Sequence, residues 1–296
     1  MRFPDDGSDY TVSMFDTLVE TETLAAHIDD PAWVLFDCRA SLADQEAGPR
    51  SYAAGHIPGA RHMHLERELS GPVTPDTGRH PLPDPRSLAE TLGRAGVDAD
   101  IQIVAYDDMQ GAYAARLWWL TRWLGHTRVA VLNGGWQQWL REERPISQAL
   151  PTHPPRQFPF KDASSEAWIH VADVLELVRG RKRGLLLDAR SPARFRGEEE
   201  TIDPVAGHVP GAVSLPFAGN VAEDGRFKSP AELRRRYEQV MQGLRPGQVI
   251  CMCGSGVTAC HDLLAMEAAG LKGARLYAGS WSEWIRDPTR PIASGG

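Results

Sequence analysis

Cysteine is scarce in this chain. Only Cys38, Cys251, Cys253 and Cys260 occur in 296 residues, and their uneven spacing does not read as a disulfide framework. Free thiols suit a reducing compartment, so a cytoplasmic location is expected. Long apolar runs are absent too: nothing approaches the roughly 20 residues of a membrane span, and no membrane partner is expected. The N-terminal Met1-Arg2-Phe3-Pro4-Asp5-Asp6-Gly7 is acidic and lacks the apolar segment of an export signal. Nor is there an excess of positive charge. The net charge of −7 gives no general pull toward nucleic acid. The basic runs Arg181-Lys182-Arg183 and Arg234-Arg235-Arg236 lie beside acidic residues or in helical stretches and read as solvated faces.

What is present is a globular composition, 42% hydrophobic and 24% charged, at a length that accommodates about two domains. The chain repeats itself. Val34-Leu35-Phe36-Asp37-Cys38-Arg39 is echoed by Leu185-Leu186-Leu187-Asp188-Ala189-Arg190, and Gly55-His56-Ile57-Pro58-Gly59-Ala60 by Gly207-His208-Val209-Pro210-Gly211-Ala212. Further apolar runs correspond, Ile101 to Tyr106 with Gln248 to Met252, and each half closes on an aromatic helix start, Trp136-Gln137-Gln138-Trp139 and Trp281-Ser282-Glu283-Trp284. Apolar runs without alternation predict strands buried on both faces, and helical periods lie between them at Leu88 to Ala95, Ala112 to Leu124 and Ala231 to Met241. The expected fold is α/β: two tandem domains, each a mainly parallel sheet flanked by helices. Residues 16–145 form the first, the proline-rich stretch 146–165 a surface linker, and 166–296 the second. The tryptophans, at helical or paired spacing, are expected in the core and the domain interface.

The duplication serves as an internal control. A feature in both halves is structural, whereas a chemical group in one alone is a candidate for function. Asp37 with Arg39 and Asp188 with Arg190 recur, as ion pairs or loop anchors, and so do the Gly-His-x-Pro-Gly-Ala turns. One position differs in chemistry. Cys253 ends the Val249-Ile250-Cys251-Met252 run, while the matching place in the first half holds Asp107. Arg194 is also unique to the second half, since Ala43 occupies its counterpart.

Cys253 lies at a strand-to-helix turn, in Cys253-Gly254-Ser255-Gly256-Val257-Thr258-Ala259. The glycines allow successive N–H groups to point inward as an anion-binding nest, backed by a helix dipole, and such a site favours a thiolate. This wording resembles the active-site loop of rhodanese-like sulfurtransferases, most closely the 3-mercaptopyruvate branch. The resemblance covers nearly the whole chain after its first fifteen or so residues. It implies two rhodanese-like domains, the first inactive. It also implies a small-molecule sulfur donor, a persulfide on Cys253 and a thiol or cyanide acceptor, which includes a thioredoxin-like protein, with no cofactor and no metal. Gly254, Ser255, Gly256, Val257 and Thr258 bind the donor mainly through backbone groups, with Arg194 as carboxylate anchor.

The neutral loop favours 3-mercaptopyruvate over the dianion thiosulfate, and Ser255 offers a proton relay to the departing enolate. In this branch such a serine works with a histidine and an acid from the inactive domain. His56 matches that histidine, with Asp44 or Glu46 as the acid. One departure counts against the branch: no second arginine precedes the Gly207-His208 turn, and Arg196 is the nearest replacement. Thiosulfate or broad donor use therefore stays open, as does a non-enzymatic sulfur-carrier or binding role. Cys251, Cys253, Cys260 and His261 lack the paired spacing of a zinc site, and Cys251 is a candidate redox partner for Cys253. A cysteine phosphatase would require an arginine where Ala259 stands.

Overall fold

The duplicated apolar runs form two sheets with the same topology. The computed structural model describes residues 14–160 and 163–295, and the acidic stretch Met1 to Gly7 lies outside them. The first sheet contains β1 (Leu18–Val19), β2 (Trp33–Asp37), β3 (Ala60–His62), β4 (Gln102–Tyr106) and β5 (Val129–Leu132) in the order β1-β5-β4-β2-β3. The second repeats it with β6 (Trp168–Ile169), β7 (Leu185–Asp188), β8 (Val213–Ser214), β9 (Val249–Met252) and β10 (Arg275–Tyr277), ordered β6-β10-β9-β7-β8. Every pairing is parallel. All residues of β4 and β9 are buried, because helices cover both faces, and this is why the sequence shows no alternation there.

Helices α1 (Thr21–Ala26), α2 (Ala47–Ala54), α3 (Pro85–Arg94), α4 (Ala114–Trp123) and α5 (Gly135–Arg141) flank the first sheet. The second carries α6 (Val171–Val178), α7 (Pro192–Arg196), α8 (Pro230–Met241), α9 (Ala259–Ala268) and α10 (Ser280–Trp284). Start signals are local: Asp84 caps α3 ahead of Pro85, and Ser229 with Glu232 forms a capping box on α8. Helix α4 packs on α9 across the domain boundary, so one apolar core runs through both halves, from Trp118 and Trp119 to Cys253 and Leu263. Separating the domains would expose large side chains at about 1.5–3 kcal/mol each. The proline-rich stretch lies along the first domain: Ser147 pairs with His56 as an isolated bridge, Arg156 N–H donates to Gly93 O at 2.8 Å, and Phe158 is buried. In the second half Ala293 pairs with His208 in the same way.

A buried polar network on α9 joins the halves. His261 Nε2–H donates to the Gln110 carbonyl of the first domain at 3.0 Å. Asn220 Nδ2 and the Tyr237 hydroxyl donate to Asp262 Oδ1 at 2.7 and 3.0 Å. Burial depresses the His261 pKa to about 4 and pushes that of Asp262 up to about 7. Neutral His261 contributes stability above the unfolded value of about 6.5, lost as pH falls toward 4. Asp262 acts in the opposite sense, because stability is regained as its carboxyl protonates on the same descent. Relative to wild type, the urea midpoint of His261→Gln is expected to rise between pH 6.5 and 4.5, and that of Asp262→Asn to fall. Parallel curves for the three proteins would contradict this account.

Candidate active site

The β9-to-α9 turn directs backbone N–H groups at one sulfur. Cys253 Sγ accepts from Gly256 N–H at 3.1 Å and Ser255 N–H at 3.4 Å. Among the described residues, the N–H groups of Val257, Thr258 and Ala259 have no acceptor. Helix α10 holds the loop from behind: Trp281 and Ser282 N–H donate to the Cys253 and Gly254 carbonyls at 3.0 and 2.9 Å, and Ser280 Oγ accepts from Cys253 N–H. Gly256 has φ +77°, and a Cβ there would stand 2.2 Å from Ala278 O. Of the four cysteines, Cys253 is the one whose sulfur accepts backbone N–H groups. Burial pushes the Cys251 thiol well up and the Cys260 thiol to about 12.

The equivalent turn of the first domain is filled by its own side chain. The Asp107 carboxylate accepts N–H from Met109, Gly111, Tyr113 and Ala114 at 2.7–2.8 Å. No external anion can enter.

A cavity of about 250 Å³ opens above Cys253, lined from both domains by Leu42, Arg79, Tyr113, Arg190, Arg194 and Phe217 among others. Arg194 lies on α7, which Ser191 caps. Its Nε and Nη2 bond Glu200 at 2.9–3.1 Å, and Nη2 also meets Asp203 at 3.0 Å, leaving Nη1 beside Gly254. Arg79, from the first domain, pairs with the other oxygen of Asp203 and brings Nη2 to 3.0 Å from where a Gly254 Cβ would be. Arg196 is not a substitute second arginine, because it pairs with Glu198 in solvent.

Ser255 Oγ lies 2.7 Å from His80 Nδ1. His80 Nε2 faces Glu66 Oε1 at 3.7 Å, so the imidazole carries its proton on that side and Nδ1 accepts from the serine. Burial lowers the His80 pKa and keeps the ring neutral near pH 7. His56 and Asp44, expected here, lie elsewhere. The His56 ring nitrogens face the Tyr52 and Ala149 carbonyls at 2.9 and 3.1 Å, and the ring stacks on Tyr52 at 4.0 Å. His208 does the same against Phe195, so both turn histidines are structural. Asp44 is exposed and paired with Arg50, and Glu46 is paired with Arg67. The missed residues carried a signal in the duplication. Gly78-Arg79-His80 corresponds to Gly225-Arg226-Phe227, with an imidazole in one half only.

The rhodanese-like domain family matches residues 20–142 and again 171–287. The chain therefore belongs to that family, with two copies of the domain in tandem. It is 45% identical over 280 residues to a probable 3-mercaptopyruvate sulfurtransferase of Pseudomonas aeruginosa, covering 94% of this chain and 98% of the relative. A putative thiosulfate sulfurtransferase, SseB, of Mycobacterium tuberculosis is 37% identical, over 94% and 97% of the two chains. The crystal structure of SseA from Escherichia coli, named a 3-mercaptopyruvate sulfotransferase, superposes with a TM-score of 0.77 at 33% identity, covering 90% and 98%. The protein is a sulfurtransferase, taking sulfur from a donor and passing it to an acceptor. Among the described residues no helix is long and apolar enough to cross a membrane.

Two glycine substitutions separate the demands of the loop. Gly256→Ala collides with backbone at a left-handed φ and should cost about 1–3 kcal/mol together with most Cys253 alkylation by iodoacetamide. Gly254→Ala meets only the flexible ends of Arg79 and Arg194 and should keep its melting temperature while raising the donor KM. Equal melting temperatures for both variants would contradict the geometry.

Proposed function

We propose that the protein transfers the thiol sulfur of 3-mercaptopyruvate, through a persulfide on Cys253, to a thiol or cyanide acceptor. The observation that carries this reading is the Ser255–His80–Glu66 chain, which reaches a neutral loop from the other domain. The Cys253 thiolate attacks the donor sulfur, the C–S bond breaks, and its electron pair leaves on the pyruvate enolate. The proton from the donor thiol passes by Ser255 and His80 to the enolate carbon, giving pyruvate and the Cys253 persulfide anion. Ser255 and Gly256 N–H stabilise the thiolate. The N–H groups of Val257, Thr258 and Ala259 are available to the terminal sulfur. Arg194 Nη1 and Arg79 Nη2, beside Gly254, suit the donor carboxylate. An acceptor thiol then takes the outer sulfur and restores the thiolate.

Thiosulfate is the second reading, favoured by the three guanidinium groups of Arg79, Arg190 and Arg194 around the cavity. They face three carboxylates, Asp188, Glu200 and Asp203, so the surround is close to neutral and better suited to a monoanion than a dianion. The test is kcat/KM for each donor with one acceptor, using Cys253→Ser as control. A preference for 3-mercaptopyruvate that vanishes in the control is expected, and a thiosulfate preference would overturn the donor assignment. Turnover with neither donor would favour a carrier role. His80→Ala should lower kcat for 3-mercaptopyruvate by about 10²-fold. The same variant should spare thiosulfate, whose sulfite leaving group needs no proton, while His56→Gln should leave both half-reactions intact if it folds. An equal loss on both donors in His80→Ala would remove the relay role.

A further inference from the structure

Arg116, the third residue of α4, is fully buried, donates to backbone carbonyls and has the Cys260 thiol beside it. Its Nη1 reaches Gly256 O at 3.1 Å, Nη2 reaches His80 O and Pro81 O at 3.1 and 3.3 Å, and Nε reaches Leu69 O at 3.4 Å. Among the described residues it forms no salt bridge. A desolvated cation without a counterion costs several kcal/mol even after hydrogen bonding. Its counterpart in the duplication explains what it is for. His261, the third residue of α9, makes the mirrored contact with Gln110 O, and Gln110 and Gly256 share a left-handed φ of +59° and +77°. The loop that His261 holds already contains its anion, Asp107, and the residue crossing to it is neutral. The loop that Arg116 holds contains Cys253, and the residue crossing to it is a cation.

We propose that Arg116 is a positioning residue for sulfur transfer. It fixes the Gly256 carbonyl, and with it the N–H groups aimed at Cys253 Sγ. Through the same guanidinium it fixes the His80 backbone, and with it the imidazole against Ser255. Its charge faces the sulfur anion from the core side, where the other titratable groups are the Cys251 and Cys260 thiols. Arg79, Arg190 and Arg194 face the sulfur from the cavity, with their partners Asp188, Glu200 and Asp203, and His80 stands behind Ser255. A sulfur that alternates between thiolate and persulfide anion is thereby matched by a charge that the non-catalytic loop does not receive.

The kinetic part of the test rests on the 3-mercaptopyruvate reading, whereas alkylation of Cys253 does not. Arg116→Lys keeps the charge and loses the fork; Arg116→Met loses both. In Arg116→Lys, kcat for 3-mercaptopyruvate should fall about tenfold or more while KM stays within about threefold. The loss should be clearly smaller in a Ser255→Ala background, because the part of it that runs through the Ser255–His80 pair is already gone and only the part that runs through the Gly256 turn remains. The pH profile of Cys253 alkylation by iodoacetamide should be close to wild type in Arg116→Lys and displaced to higher pH in Arg116→Met. If Arg116→Met fails to fold, Arg116→Lys and its double mutant decide. Unchanged kcat in Arg116→Lys, or a loss that multiplies in full with that of Ser255→Ala, would overturn the proposal. A wild-type protein inactive on 3-mercaptopyruvate would defeat the donor reading alone, and the alkylation profiles would then decide the role of Arg116.

Discussion

A cluster of backbone N–H groups converging on one point at a strand-to-helix turn must meet an acceptor there. Both domains build this cluster, and they satisfy it differently. In the first, the Asp107 carboxylate is a covalently attached acceptor for four N–H groups. In the second, sulfur accepts two, and three further N–H groups stay available. A filled nest is stable and inert, whereas an incompletely filled one gains most when a second sulfur arrives. The difference between scaffold and reactive domain thus reduces to whether the side chain at the strand end saturates the turn.

The incomplete nest is finished by the neighbouring domain. Helix α4 is buried on nearly every side because it is the seam, and the loop carrying Arg79 and His80 is laid against the Cys253 turn by the same packing. The pseudo-symmetry is kept in detail. Arg116 mirrors His261 and Arg79 mirrors Arg226, with Phe227 resting on Gly111 of the closed turn while His80 bonds Ser255 of the open one.

Much of this was legible in the chain. The repeated apolar runs become β2, β4, β7 and β9 because burial on both faces leaves a local imprint, and Cys253 stands out because its glycines are needed for its own turn. Arg194 was legible as a cation present in one half only, though not the occupation of its Nε and Nη2 edge by Glu200 and Asp203. The recurrence of the Gly-His turn already grouped His56 with His208, and both proved to be braces against backbone. His80 follows a Gly-Arg pair that recurs at Gly225-Arg226, which marks it as a departure between the halves, but it stands 175 positions from Ser255, so its partner depended on a contact that the chain does not announce.

The sequence by itself determined the duplicated α/β architecture, the parallel strands and the cysteine turn, because each depends on residues adjacent in the chain and on the periodicity of burial. Only the tertiary structure decided which histidine meets Ser255, which second arginine lies over Gly254 and which buried guanidinium sits beneath the loop. These roles fall to whichever side chain the packed interface brings within about 3 Å of a given atom, and the packing of α4 on α9, rather than spacing along the chain, selects it.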